Sequence, residues 1–246
     1  MNNKTGIISS LLVAAVALLL SGVGGSARAD SGSLSVASID GGATIDNGDG
    51  AAALSDESEI GPGSVLSTGS SGSAVIVLGD VGRIKIGPDT TLIINRANST
   101  ETGDGVTTDT LLTLRDGCVT GVVNRFTSGL SKFEVKIPTG TVGIDASEEA
   151  SEFNICTPTE VSFVGGAGSI VYTRDGVVRS ARGTSGNQFS TETGGFVPIP
   201  APEMAAIEQV VQEVVVVPGA APIPAPVPVV VQPNSFFISP VKGGGS

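Results

Sequence analysis

The 246-residue chain contains no histidine and no tryptophan, and only one tyrosine and eight phenylalanines. Without histidine it lacks the commonest general base, histidine-based catalytic triads and histidine ligands for a metal ion. The few aromatic residues stand beside 35 glycines, a composition that favours short strands and tight turns over a helical bundle. These absences predict a protein that is not an enzyme and holds no cofactor.

Basic residues are also scarce, with 13 Lys and Arg against 24 Asp and Glu. Without Lys4 and Arg28, which precede the cleavage site inferred below, 11 basic residues remain against 24 acidic ones, a net charge of −13. Such a chain repels nucleic acid and anionic lipid, and no basic stripe offsets the repulsion. We therefore expect no nucleic-acid partner.

Residues 1–29 have the composition of a targeting segment. Lys4 precedes an apolar run, Ile7–Leu20, and the small-residue sequence Ala27-Arg28-Ala29 stands before Asp30. This order predicts a signal peptide that is cleaved after Ala29. A retained signal anchor is the alternative, but the apolar run is shorter than the roughly 20 residues that span a bilayer. We expect export to the periplasm or the cell exterior, with no transmembrane span after cleavage.

Residues 30–60 are predicted to be a lead-in with one strand, Leu34–Ile39, followed by a segment rich in Gly, Asp and Asn. Side-chain oxygens at Asp40, Asp46, Asn47 and Asp49 suggest a calcium loop. However, a glycine, at position 48, occupies a ligand position of that motif. An ordinary turn is the better interpretation.

The segment Gly61–Asn95 has the clearest strand pattern in the first half of the chain. Runs rich in Val, Ile, Leu and Thr alternate with Gly-rich turns, which predicts short strands. The predicted strands are Ser64–Ser67, Ala74–Leu78, Arg83–Ile86 and Thr91–Ile94, the second of them central and covered on both faces. In the third strand Ile84 and Ile86 are predicted to face a core. Its basic residues, Arg83 and Lys85, are predicted to face water.

The strand pattern resumes after Arg96–Asp109, a polar segment that is predicted to be an exposed loop. Asp116-Gly117 and Asp175-Gly176 each predict a hairpin. The further predicted strands are Thr110–Leu114, Cys118–Val123, Ser131–Ile137, Thr141–Ile144, Glu152–Ile155, Val161–Val164, Ser169–Thr173 and Val177–Ala181. About a dozen short strands at such spacing predict an all-β fold, as a sandwich, a barrel or a β-solenoid.

The order of several glycine-containing pieces resembles the FecR domain family. The pieces are Gly61-Pro62-Gly63-Ser64-Val65-Leu66-Ser67-Thr68-Gly69, Ser73-Ala74-Val75, Gly82-Arg83-Ile84-Lys85-Ile86 with Pro88 and Leu92, Leu112–Leu114 with Gly117, and Phe133–Gly140. The resemblance covers residues from about Gly61 to Thr173. It implies an extracytoplasmic all-β domain of stacked short strands, solenoid-like or sandwich-like, which we assign to residues 61–196.

The chain also departs from the family pattern. Family members follow the Pro-Thr-Gly turn with a short Arg-Gly-Thr-like element and an aromatic residue, whereas here a longer acidic segment, Gly143–Phe153, takes that place. Phe153 would fill the aromatic position. The family's signalling members also hold a sigma factor through a cytoplasmic helical domain, and the residues before Ile7 are too few for one. We therefore expect the exported domain alone, without direct sigma-factor control.

The one acidic cluster of this region consists of Asp145, Glu148, Glu149 and Glu152. Paired carboxylates hydrolyse glycosides in many enzymes, so a hydrolase is the weakest of the functional hypotheses. A loop rich in Gly, Ser and Ala is more typical of a solvated turn, because nothing nearby predicts burial. Residues 165–168 look like a phosphate loop, but no Lys follows and a strand comes next, which predicts a turn.

Cys118 and Cys156 are the only cysteines. In an oxidising compartment they are candidates for a structural disulfide, worth about 4 kcal/mol on a chain-entropy estimate. Two separate buried thiols are the alternative.

The composition changes at residues 197–246. Met204, Ile207, Val210, Val211 and Val214 recur at helical spacing, which predicts a short amphipathic helix, although 214–217 would also suit a strand. Repeated Ala-Pro, Val-Pro and Ile-Pro steps then predict an extended, disordered tail or spacer. Phe236, Phe237 and Ile238 form an apolar patch that is a candidate docking segment.

Two functional hypotheses remain from the sequence. The first is a non-catalytic envelope module that binds or scaffolds a protein or glycan of the cell envelope. The second is a sensory component that acts through a separate membrane regulator.

Overall fold

The computed structural model describes residues 30–31, 34–102 and 105–216. The predicted signal peptide and the Pro-rich tail, including Phe236–Ile238, lie outside the described residues. The described residues form 18 strands in two sheets and one helix. The all-β prediction is confirmed, and the two sheets pack face to face as a sandwich.

Sheet A has ten strands and sheet B has eight. The strands of sheet A are β1 (Asp30–Ser31), β3 (Ala43–Asp46), β4 (Ala51–Ala53), β5 (Val65–Thr68), β8 (Thr91–Thr102), β9 (Gly105–Asp116), β11 (Lys132–Ile137), β12 (Gly140–Asp145), β15 (Ala167–Arg174) and β16 (Val177–Thr184). Those of sheet B are β2 (Leu34–Asp40), β6 (Ser73–Leu78), β7 (Gly82–Ile86), β10 (Cys118–Val123), β13 (Ser151–Cys156), β14 (Glu160–Gly165), β17 (Asn187–Ser190) and β18 (Gly195–Pro198).

Both sheets are laid down nearly in chain order. The spatial order is β4-β3-β5-β8-β9-β11-β12-β15-β16 in sheet A, with β1 beside β8, and β2-β6-β7-β10-β13-β14-β17-β18 in sheet B. The chain crosses between the sheets repeatedly and advances along both. The molecule is therefore a stack with its first strands at one end and its last strands at the other.

Each time the chain enters a sheet, it usually adds two consecutive strands, which pair as an antiparallel hairpin, before it crosses to the other sheet. Strand β10 is an exception, because it enters sheet B alone. The strands before and after it in the chain, β9 and β11, therefore lie next to each other in sheet A and run parallel. This geometry shows that Asp116-Gly117 does not form the predicted hairpin: it carries the chain from sheet A to sheet B. Gly117 has φ +80°, and a Cβ there would lie 2.1 Å from Thr90 Oγ1, so the turn requires glycine.

The core lies between the sheets and contains the residues that alternation predicted. Ile84 and Ile86 are fully buried, and most of β6 is buried as predicted. Strand β6 is not central in sheet B, however, but lies next to the edge strand β2. Phe133 of sheet A packs on Phe153 of sheet B with ring centroids 5.8 Å apart. Glycine makes room for such rings: a Cβ at Gly168 would lie 2.2 Å from Phe163 Cζ.

The segment Arg96–Asp109 is not a loop, which corrects the prediction. Strand β8 extends into it as far as Thr102 and β9 begins at Gly105, and the two pair as a long antiparallel hairpin, with Arg96 and Asp109 forming an ion pair at 3.0 Å. Thr127 accepts a hydrogen bond from the Val106 amide, and Ser131 accepts one from the Thr108 amide. The hairpin is polar because one face is exposed, yet its Thr-rich strands suit a pleated sheet.

Helix α1 (Ala201–Val215) confirms the predicted amphipathic helix and covers part of the outer face of sheet B. Ile207, Val211 and Val214 are buried with Val122 of β10 in a small cluster separate from the main core. The helix begins after Pro200, without a side-chain cap.

The helix explains why the prediction for Arg83 is wrong. Arg83 is only 6% exposed, and its Nη1 donates a hydrogen bond to the Val215 carbonyl oxygen at 3.0 Å. Lys85 forms an ion pair with Glu213. Both cations therefore lie near the carbonyl end of the helix, where positive charge is favourable.

Candidate functional site

The two outer faces of the sandwich differ: among the described residues, α1 covers part of sheet B, whereas no element covers the middle of sheet A. On the outer face of sheet A there is a shallow depression of about 290 Å³, here called the Gly143 depression. Gly143 of β12 and Ser169 of β15 are register partners at its centre. Its walls include Phe126, Lys132, Glu134, Asp145 and Ser147.

The depression exists because small residues occupy the outward positions of β12 and β15. Gly143 has no side chain, and a Cβ there would lie 3.4 Å from Ser169 Oγ. On the neighbouring strand β11, Lys132 and Glu134 alternate with the core residues Phe133 and Val135. Inward burial of Phe133 and Val135 therefore holds the two charged side chains on the open face.

Asp145 is the most firmly held charge of the depression. Its Oδ1 accepts hydrogen bonds from the Ser147 hydroxyl at 2.6 Å and the Ser147 amide at 3.2 Å. Its Oδ2 accepts one from Arg182 Nη2 at 2.7 Å. The Ser147 hydroxyl bond, with the smaller effect of Arg182, holds the pKa of Asp145 below its usual range against the opposing effect of burial. Asp145 is therefore a fixed carboxylate near neutral pH.

The lining combines groups of several chemical kinds. Lys132 donates hydrogen bonds, Glu134 and Asp145 accept them, and Ser169 can do either. Phe126 adds an apolar wall. Alternating donors and acceptors beside one ring suit a polar, hydroxyl-rich or peptide-like ligand better than an apolar one.

The acidic cluster predicted around Asp145 does not form a single site. Asp145 ends β12 on the open face of sheet A, whereas Glu152 lies in β13 of sheet B on the side covered by α1. Glu148 and Glu149 are exposed in the connection between the sheets. The sandwich thus separates Asp145 from Glu152.

Glu152 lies in a strand, as predicted for Glu152–Ile155, but it is not solvated as the acidic cluster was predicted to be. Burial raises its pKa, and the charge of Glu208 on α1 raises it further. Nearby, Thr120 Oγ1 donates to Asn154 Oδ1 at 2.8 Å, so polar groups also lie beneath the helix. The helix–sheet contact therefore combines a small apolar cluster with polar and like-charged neighbours.

Cys118 and Cys156 form a disulfide on the side of sheet B that faces away from the core. They are register partners on β10 and β13, and their Cα atoms are 4.1 Å apart. The bond joins β10 and β13 of sheet B, which are separated in the chain by the β11–β12 hairpin of sheet A. Its position indicates a structural role.

The Asp/Asn segment of the lead-in forms a turn, as its sequence predicts. Asp46 Oδ1 accepts hydrogen bonds from the amides of Gly48 and Gly50, and Asn47 Nδ2 donates to the Glu59 carbonyl oxygen. Gly166, with φ +70°, likewise makes the turn between β14 and β15. Over residues 34–102 and 105–216, no group of three or more His, Cys, Asp or Glu is placed to hold a metal ion.

Sequence reasoning missed the depression itself. Its signal was the run of outward residues Thr141, Gly143 and Asp145 on β12, which contains nothing large or apolar. Ser169 could be added only once β15 was known to pair with β12. Phe126 lies in a connection without any periodic pattern.

Comparison with known proteins adds no identification, because no family model matches the chain and no curated protein matches it. Within the part of the chain that the structure describes, no helix has the length and apolarity needed to cross a membrane.

Proposed function

We propose that this chain is an exported, non-catalytic FecR-like protein that binds a protein or glycan of the cell envelope and scaffolds it there. The observation that carries the proposal is the open Gly143 depression, in which donors, acceptors and one aromatic wall converge on a rigid sheet. A site built on paired strands is already organised for binding, which lowers the entropic cost of holding a ligand.

Two further observations support export and a binding role. The order of residues in Met1–Ala29 is that of a signal peptide. The Cys118–Cys156 disulfide suits an oxidising compartment, because cytosolic thiols are kept reduced. The separation of Asp145 from Glu152 supports binding over hydrolysis, since paired carboxylates act only when both flank one bond.

The test is capture of envelope components by the immobilised protein, after export, from extracts that contain cell-wall fragments, surface glycans and membrane proteins. Gly143→Trp fills the centre of the depression and is expected to reduce capture at least tenfold. Thr173→Trp places the same side chain at an exposed position of β15 away from the depression and serves as the matched control. Equal loss in both variants, or in neither, would contradict the assignment of the site.

A sensory role through a separate membrane regulator is the second candidate, and the docking of α1 favours it. The helix is held by a small cluster separate from the core and by polar contacts of its last turn with Arg83 and Lys85. Glu208 of the helix lies near Glu152 of the sheet, which has the same charge. Such a contact is suited to release. This candidate would be supported if a transmembrane regulator is recovered and the amount bound rises with the fraction of protein in which α1 is undocked. Recovery of wall or glycan components would support the first candidate.

A further inference from the structure

Each end of sheet A is an edge strand that pairs on one side only. Among the described residues, β16 pairs only with β15, and β4 pairs only with β3. The ends of sheet B are less open: β18 ends in Pro198, which has no amide donor, and β2 makes an additional bridge from Leu34 to Ile60. Sheet A therefore presents backbone donors and acceptors at both ends of the molecule.

The β16 end is apolar and basic. Val177 and Val178 are 52% and 71% exposed. Arg179 and Arg182 follow on the same strand, and both are exposed. Arg182 also forms the ion pair with Asp145 described above, so Arg179 carries the positive charge that Asp145 does not offset. Exposed edge strands of this length are usually covered, bulged or kept short, because they pair readily with another chain.

The β4 end is small and acidic. Ala51–Ala53 is exposed along its whole length. Asp49 precedes this strand, and Asp56 and Glu57 follow it, all three exposed. Residues 30–60 contain no Lys or Arg at all. Charge is thus distributed along the stack, with an acidic edge at one end and an arginine-bearing edge at the other.

This polarity distinguishes between two ways of joining a second copy. If two β16 strands paired antiparallel over their full length, Arg179 of each would lie opposite Arg182 of the other, and like charges directly opposite are destabilising. If β16 of one copy met β4 of the next, Arg179 would approach Asp49, Asp56 and Glu57. The second arrangement brings opposite charges together.

We propose that copies of this chain associate head to tail, the β16 edge of one pairing with the β4 edge of the next, so that sheet A continues from copy to copy. The contact is heterologous and leaves an open edge at each end, so it produces rods of increasing length rather than a closed dimer. The β4 strand is short and the charges are exposed, so the association is weak and sensitive to salt.

The test is sedimentation velocity of the protein purified after export, at low and high salt. For the unmodified chain, the weight-average mass should rise at least twofold between about 5 and 500 µM at low salt, and the rise should disappear near 0.5 M salt. A mass that stays that of the monomer across this range would overturn the proposal. The proposal would also fail in this way if residues 217–246 of the same chain covered β16.

Paired charge reversals test the direction of the contact. Because Asp145 already offsets the charge of Arg182, Arg179→Glu makes the β16 edge acidic like the β4 edge. Asp56→Lys with Glu57→Lys makes the β4 edge basic like the β16 edge, so each variant alone should remain monomeric. An equimolar mixture of the two variants should form a 1:1 complex that does not grow further. Lys136→Glu, the same charge change at an exposed position mid-stack, should associate like the unmodified chain.

Two results would contradict the head-to-tail contact. A mixture that stays monomeric while the unmodified chain associates would exclude the head-to-tail contact. Stronger self-association of Arg179→Glu alone would indicate that two β16 edges pair with each other.

Discussion

The Cys118–Cys156 disulfide allows the sharpest prediction about stability. The two cysteines are 38 residues apart in sequence, and the bond closes the chain around the β11–β12 excursion into sheet A. The chain-entropy estimate for a loop of this length is about 4 kcal/mol at 25 °C. Replacing both cysteines by alanine should therefore lower the free energy of unfolding by about 4 kcal/mol.

The folded state should change little in this variant. Strands β10 and β13 remain in register along their full length, from Cys118↔Cys156 to Val123↔Ser151. Both cysteines are partly exposed on a sheet surface, so alanine there leaves no large internal cavity. The effect should lie mainly in the unfolded chain, which becomes less compact.

Urea unfolding followed by circular dichroism measures both consequences. The double variant should show a lower midpoint and a steeper dependence on urea, because a chain without the bond exposes more surface when it unfolds. Reductant should bring the unmodified protein close to the variant and should leave the variant itself unchanged. A variant as stable as the oxidised protein, with the same urea dependence, would refute the reasoning.

Three further substitutions probe the core and the helix. Gly121→Ala should lower the free energy of unfolding by about 1–3 kcal/mol in chemical denaturation, since its Cβ would lie 2.6 Å from the Phe153 ring. Val211→Asp should undock α1 while the sheets stay folded, which hydrogen exchange will detect as loss of protection confined to residues 201–216. Glu208→Gln should raise the free energy of unfolding at pH 7, and the gain should vanish in acid. The raised pKa of Glu152 gives this sign: its stabilising contribution is present at low pH and is lost as the pH rises through its folded-state pKa.

Two of these substitutions have a matched control variant, and the control for Glu208→Gln is the same measurement in acid. Gly61→Ala adds a methyl group where nothing lies within 4 Å, and it should change stability by less than about 0.5 kcal/mol. Gln209→Asp places a carboxylate on the exposed side of α1 and should leave the helix docked. Equal effects in a variant and its control, or a gain for Glu208→Gln that persists in acid, would contradict the proposed contacts.

The strands were predictable from the sequence where one face is buried and the other is exposed. The alternation of Lys132–Ile137 appears unchanged in β11, with Phe133, Val135 and Ile137 buried. The Asp175-Gly176 hairpin also formed, with both residues at positive φ, because that turn needs only local geometry.

Pairing across the molecule was not predictable in the same way. Asp116-Gly117 has the same residue types as Asp175-Gly176, yet its flanking strands enter different sheets. A dipeptide specifies how the chain turns but not which neighbour the next strand meets. The same limit applies to Arg83, whose exposure depends on a helix more than a hundred residues later in the chain.

The lining of the depression depends both on alternation along one strand and on pairing between strands. The outward positions of Lys132 and Glu134 follow from alternation alone. The approach of Ser169 to Gly143, and of Arg182 to Asp145, depends on strand register. The sequence could therefore predict which side chains of a strand point outward, but not which side chains of neighbouring strands come together.

Amide chemical shifts measured by NMR during titration with the captured component locate the surface to which that component binds. If it binds to the open face of sheet A, the shifts will be concentrated at Glu134, Gly143, Asp145 and Ser169, with little change in α1. Shifts concentrated in α1 and the covered face of sheet B, with Gly143 and Ser169 unmoved, would contradict binding at the open face.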